Sequence, residues 1–138
     1  MTKYLLDTNV ISELWRPTPH PQVVTWFKLI EDDDLFLSVI TLGEIRKGVE
    51  KKRSEDPQRS ALLESRLVTL QTDYRDRILP ISAEVAQEWG RLAVAEPNHP
   101  LDTMLVATAK VHTLTLATRN VADFRDSVPK IVNPWLGN

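Results

Sequence analysis

The chain has 138 residues, 42% of them hydrophobic and 26% charged, with a formal net charge of -2 and no cysteine. This is the make-up of a single globular domain over residues 1–138; it excludes a disulfide framework and a thiolate metal site, and it argues against a strongly basic nucleic-acid-binding surface without excluding a local basic patch. No apolar run approaches a membrane span and no secretory signal is visible, so a cytoplasmic protein with no membrane association is expected.

Lys3 to Leu6 reads as a short strand, and "TNVISELW" follows with Val10, Ile11, Leu14 and Trp15 at helical spacing. The three prolines of "RPTPHP" break that pattern, and "QVVTWFKLI" restarts a helix that ends at Asp32, Asp33 and Asp34. "LFLSVI" (Leu35 to Ile40) is a continuous apolar run, as expected for a strand covered on both faces, with a helix beginning at Thr41. From Pro57 to Arg77, Leu62, Leu63, Leu67 and Leu70 recur in a helical period, as one helix or a pair. "ILPIS" (Ile78 to Ser82) is a third strand, and its Pro80 places it at an edge or a strand end.

Ser82 caps the amphipathic "AEVAQEWGRLAVAE", which Pro97 stops, and a more apolar helix covers Leu101 to His112. "TLTLATRN" supplies a fourth strand, "VADFRD" a turn or short helix, and "KIVNP" a last strand. Strands alternating with helices predict an α/β fold: a central, mostly parallel sheet of four to five strands with helices on both faces.

Four carboxylates occupy corresponding places in this scheme. Asp7 ends the first strand, where it is also suited to an N-cap or Asx turn; Thr41 and Glu44 of "TLGE" have the spacing of a capping box. Asp102 lies in a first helical turn, where the macrodipole favours it, and Asp123 follows "ATRN" in a turn that Asn120 can cap. Each acid has a structural explanation taken singly. Together they do not, because strand-to-helix junctions of an open parallel sheet all open on one edge, where ligands bind at the point of reversed strand order. Converging carboxylates repel one another, and a divalent cation cancels that repulsion. Oxygen donors suit Mg²⁺ or Mn²⁺, and acids with one or two hard cations suit the metal-assisted hydrolysis of phosphodiesters. Thr8, Asn9, Ser38, Thr118 and Asn120 are neutral polar residues at the same junctions, suited to orienting the acids or metal-bound water.

"LLDTNVISEL", "LSVITLGEIRKGV", "LDTMLVATA" and "LATRNVADF", in this order, resemble the motifs of the PIN-domain ribonucleases. Within them the chain is most similar to the VapC toxins of type II toxin–antitoxin pairs, in particular the FitB-like branch, over Lys3 to Pro134. The resemblance implies a three-layer α/β/α PIN-like domain and an Mg²⁺- or Mn²⁺-dependent endoribonuclease toxin. It further implies a cognate VapB/FitA-like antitoxin that wraps the toxin and blocks its site, and a homodimer that sometimes assembles further with antitoxin. Position by position it assigns Asp7, Glu44, Asp102 and Asp123 as the catalytic, metal-binding acids, with Asp7 and Asp102 as the principal metal pair. Thr118 and Asn120, and Thr8 and Asn9, match the family's accompanying polar positions.

For the RNA backbone, Arg46, Lys47 and Arg119 each sit beside a motif acid and present a cation. "RKGVEKKR" carries five basic residues in eight positions, which equally suits a solvated helix face. His99 reads as a loop residue, His20 and His112 as structural, and Trp15, Trp26, Trp89 and Trp135 as core or interface anchors. A phosphatase of the haloacid-dehalogenase type needs an acid where Asn9 stands, and neither a phosphate-binding loop nor a dinucleotide fingerprint is present. The rival to catalysis is a catalytically inactive PIN-fold module that binds RNA or protein.

Overall fold

The computed structural model of the protein describes residues 2–120 and 130–136. Five strands, β1 (Tyr4–Leu6), β2 (Leu35–Ser38), β3 (Ile78–Leu79), β4 (Thr115–Ala117) and β5 (Ile131–Val132), form one sheet in the order β3-β2-β1-β4-β5. Every neighbouring pair is parallel. The order runs outward from β1 in both directions, so the point of reversal lies between β1 and β4. Tyr4, Leu5 and Leu6 pair there with Thr115, Leu116 and Ala117.

Side chains alternate across a strand, so adjacent residues of β1 enter different cores. Leu6 joins Val10 and Ile11 of α1 (Thr8–Leu14), Val23 and Trp26 of α2 (Pro21–Leu29), Ile45 of α3 (Val39–Glu55), and Leu67 and Leu70 of α4 (Pro57–Asp73). Leu5 joins Leu105, Val106 and Ala109 of α6 (Pro100–Val111), with Leu92 of α5 (Ala83–Ala93) packed alongside. Helices α1 to α4 thus cover one face and α5 and α6 the other, the expected three layers. Among the described residues no helix is long and apolar enough to cross a membrane.

The predicted order of elements holds, with shorter strands and some displaced ends. The edge position of β3 suits Pro80, which stands just past its end and has no N–H for a further ladder bond. The segment 57–77 holds one α-helix, α4 over Pro57–Asp73, followed by a 3-10 turn over Arg75–Arg77. Ser82 caps α5 as expected, its hydroxyl accepting the Val85 N–H at 3.1 Å. "VADFRD", with Asp123, lies outside the described residues.

One boundary is corrected. The strand ends at Ser38 and α3 begins at Val39, not at Thr41, because the Ser38 hydroxyl accepts the Ile40 N–H at 3.0 Å and starts the helix there. Val39 and Ile40 suit a strand by side-chain shape, yet this local bond outweighs propensity. Thr41 is therefore inside the helix, fully buried, and forms no capping box with Glu44.

Ser38→Ala removes a cap and leaves the half-buried Ile40 N–H without that partner, and should cost about 1 kcal/mol of stability in denaturant unfolding.

Candidate active site

At the reversal point, β1 hands over to α1 through Asp7. Its N–H donates to Ala117 O at 2.9 Å, which extends the β1–β4 ladder by one residue, and its carbonyl accepts the Val10 N–H at 3.0 Å. Asp7 occupies the N-cap position of α1, yet its carboxylate makes no capping bond. Instead Oδ2 accepts from Thr118 Oγ1 at 2.8 Å and, more weakly, from Asn9 Nδ2 at 3.4 Å. Thr118 Oγ1 accepts the Asn120 N–H at 3.1 Å in turn, so the hydroxyl proton is directed at Asp7.

Glu44 reaches the same place from the second turn of α3. The Thr8 hydroxyl donates to its Oε1 at 2.6 Å and lies 3.1 Å from the Thr41 hydroxyl. Asp102 arrives from the first turn of α6, on the other side of the sheet. All three acids line one open cleft of about 600 Å³, together with Thr8, Asn9, Ser12, Glu13, Arg16, Arg59, Arg119, Asn120 and Trp135.

The remaining expected residues are distributed unequally. Arg119 lines the cleft with its guanidinium 5.3 Å from the centre of the Trp135 ring, whereas Arg46 does not line it. Arg46 Nη1 is held by Glu64 at 2.7 Å and Glu50 at 3.1 Å, within the α3–α4 hairpin. Lys47 and Ser38 also lie outside the lining. His20 caps α2, its Nδ1 accepting the Gln22 N–H at 3.2 Å, and Trp26 packs edge-on against Tyr4 with ring centres 5.1 Å apart.

Three charged residues of the cleft were not singled out from the sequence: Glu13, Arg16 and Arg59. A signal for the first two existed, since Asn9, Ser12, Glu13 and Arg16 recur at the spacing of one helix face, opposite Val10, Ile11 and Leu14. Glu13 is buried and accepts the His20 N–H at 2.9 Å, with Arg16 at 3.4 Å. The His20 N–H foremost, then Arg16, hold its carboxyl below the usual range. Arg59 carries no pattern of its own in the sequence, because it enters the cleft only through the packing of α4 on α3.

A PIN-domain family model matches residues 4–126. The chain belongs to the PIN-domain family. It is 37% identical to the toxin FitB of Neisseria gonorrhoeae, covering 95% of this chain and 97% of that protein. It is 31% identical to the VapC ribonuclease Y4jK of Sinorhizobium fredii, with 95% and 96% covered. Among solved structures, FitAcB from Neisseria gonorrhoeae superimposes with a TM-score of 0.86 at 36% identity, covering 96% of this chain and 98% of that one. The resemblance to FitB-like and VapC toxins carried by the four motif blocks is borne out.

Among the described residues of this PIN domain, no three Asp, Glu or His side chains are gathered tightly enough to form a metal-ligand cluster by themselves. The donor set nonetheless fits Mg²⁺ or Mn²⁺. A small hard cation keeps several waters and takes only one or two carboxylates directly. In addition, the buried Asn9 Oδ1 has no hydrogen-bond partner, which leaves an acceptor available to a bound water beside Asp7.

Burial raises the Asp7 pKa above its ordinary 3.8, and the charges of Asp102 and Glu44 push the same way, against the Thr118 hydrogen bond and the Thr8 N–H. A carboxyl whose pKa rises on folding stabilises the fold only while protonated: that contribution is present below pH 3.8 and lost as pH climbs through the raised value. Ionised Asp7 therefore opposes the metal-free fold at neutral pH. Asp7→Asn should raise the melting temperature in EDTA at pH 7, and the gain should shrink toward zero as pH falls below 3.8. Mg²⁺ should raise the melting temperature of the parent more than that of the variant. Circular-dichroism melts across pH check both, and an equal or lower midpoint for the variant at pH 7 contradicts the assignment of Asp7 as a destabilised carboxylate.

Proposed function

We propose that this PIN domain is the Mg²⁺- or Mn²⁺-dependent endoribonuclease toxin of a type II toxin–antitoxin pair, cleaving RNA phosphodiesters at the cleft. The observation that carries this reading is the convergence of Asp7, Glu44 and Asp102, from the end of β1, α3 and α6, at the point of reversed strand order. The names of the relatives support it, one a toxin and another a VapC ribonuclease.

A bound divalent cation supplies Lewis-acid polarisation of the phosphoryl oxygen and a lowered pKa for the attacking water. Asp7 and Asp102 are the principal residues to hold it, with Glu44 and Asp123 completing the acidic set. Thr118 aims its proton at Asp7 Oδ2 and Thr8 its proton at Glu44 Oε1, so each hydroxyl fixes the orientation of an acid that would hold the cation. Asn9 and Asn120 fix these hydroxyl and carboxylate orientations from either side of the β1–β4 junction. Arg119 offers a cation to the substrate backbone at the rim.

A cognate VapB/FitA-like antitoxin neutralises the enzyme by covering this cleft. Solved structures similar to this chain include FitAB bound to an IR36 DNA fragment, at 34% identity and a TM-score of 0.85. The toxin acts in the cytoplasm and works as a homodimer.

The test is cleavage of RNA by the purified chain, free of antitoxin, with Mg²⁺ or Mn²⁺ and with EDTA as control. Cleavage should require the metal and fall at least about a hundredfold in Asp7→Asn. Thr118→Val, which leaves the acid in place and removes its hydrogen bond, should lose about 10- to 100-fold. Metal-independent cleavage, or equal cleavage by Asp7→Asn, overturns the proposed mechanism.

A further inference from the structure

The cleft sets a problem for its substrate: Asp7, Glu13, Glu44 and Asp102 all line it, and an RNA strand is itself a polyanion. A divalent cation offsets part of this charge at the scissile phosphate, while the neighbouring phosphates need cations of their own. Three arginines line the cleft, and one of them, Arg119, is already assigned to the substrate backbone at the rim. Arg16 is paired with Glu13 at 3.4 Å, and Arg119 lies over the Trp135 ring at 5.3 Å. The third, Arg59, is half-buried, and its guanidinium enters no ion pair among the described residues.

The backbone beneath Arg59 is unusually well held. Asp56 caps α4 by accepting the Arg59 N–H at 3.1 Å, and Pro57 occupies the first helical turn. One residue further, buried Ser60 donates its hydroxyl to Val49 O of α3 at 2.8 Å, which pins the start of α4 to the helix that carries Glu44. A cation on a rigid element loses little freedom when it binds, and a guanidinium matches a phosphate with two parallel N–H donors.

We propose that Arg59 is a substrate-contact residue that binds an RNA phosphate flanking the scissile one, on the α3–α4 side of the cleft. This rests on the ribonuclease reading of the same cleft and extends it. It replaces Arg46 as the contact from this side, since the Arg46 guanidinium is directed at Glu64 and Glu50 outside the lining.

The test measures binding of a 5′-fluorescein-labelled, mixed-sequence single-stranded RNA by anisotropy over a salt series, with the full chain carrying Asp7→Asn so that the probe stays intact. Adding Arg59→Ala should weaken binding roughly tenfold. The slope of log K against log salt should become shallower by about 0.7, the value for one phosphate contact on a single strand. Arg59→Lys should restore the slope but only part of the affinity, because it keeps the charge and loses the fork. Arg75→Ala, which removes a charge at the opposite edge of the sheet, should match the parent. In the active chain, Arg59→Ala should raise KM more than it lowers kcat. Loss of fold does not enter, because the Arg59 N–H that Asp56 holds survives substitution. Unchanged affinity and slope in Arg59→Ala, with a wild-type chain that cleaves RNA, overturn the Arg59 assignment alone. A wild-type chain that cleaves no RNA overturns the ribonuclease reading, and the Arg59 assignment falls with it.

Discussion

The hydrogen bond from Thr118 Oγ1 to Asp7 Oδ2, spanning 111 positions of sequence at 2.8 Å, is the interaction on which the site's arrangement depends. It exists only because β1 and β4 are parallel neighbours in register, so that the residues just beyond their last paired positions meet. The Asp7 N–H on Ala117 O carries the ladder to that meeting point. A slip of one residue in this pair would turn Asp7 toward the opposite face of the sheet and break its contact with the hydroxyl. The cores on the two faces resist such a slip, since Leu5 and Leu6 are both fully buried and each belongs to a different layer.

That arrangement places an acid where burial and neighbouring charge both disfavour ionisation. The surroundings answer with polar groups of limited strength: one hydroxyl for Asp7, one for Glu44, and backbone N–H groups at the start of α1. They orient the acids without neutralising them. The contrast with Glu13 is instructive, because that carboxylate is also buried in the cleft wall yet is satisfied by a backbone N–H and an arginine, and its pKa moves down. The same cleft thus holds one acid tied into the scaffold and another whose ionisation its surroundings oppose.

Much of this was legible in the sequence, for reasons that particular residues make plain. Apolar runs ending in Asp7 and in the "TLGE" segment mark strand-to-helix junctions, and in a parallel sheet such junctions must share an edge. What local pattern missed was partners distant in sequence. Thr41 and Glu44 have the spacing of a capping box, but the Ser38 hydroxyl starts the helix earlier and the Thr8 hydroxyl, on another element, takes Glu44. Likewise the density of basic residues after "TLGE" drew attention to Arg46, whereas the packing of α4 on α3 pairs Arg46 with Glu64 and brings Arg59 to the cleft. Charge along a chain says where cations are numerous; only the fold says which way they face.

The span between Thr118 and Asp7 also bears on when the site comes into being. On a ribosome β1 and its acid emerge well before β4, the strand that must lie beside them, since 111 positions separate Asp7 from Thr118. Until it docks, β1 lacks a neighbour on one side and the Asp7 carboxylate lacks its hydroxyl partner, so this edge of the sheet waits on a strand made much later. Contacts of such long sequence separation form late and slowly in folding. The cleft wall at Asp7 is correspondingly assembled only once β4 has left the tunnel.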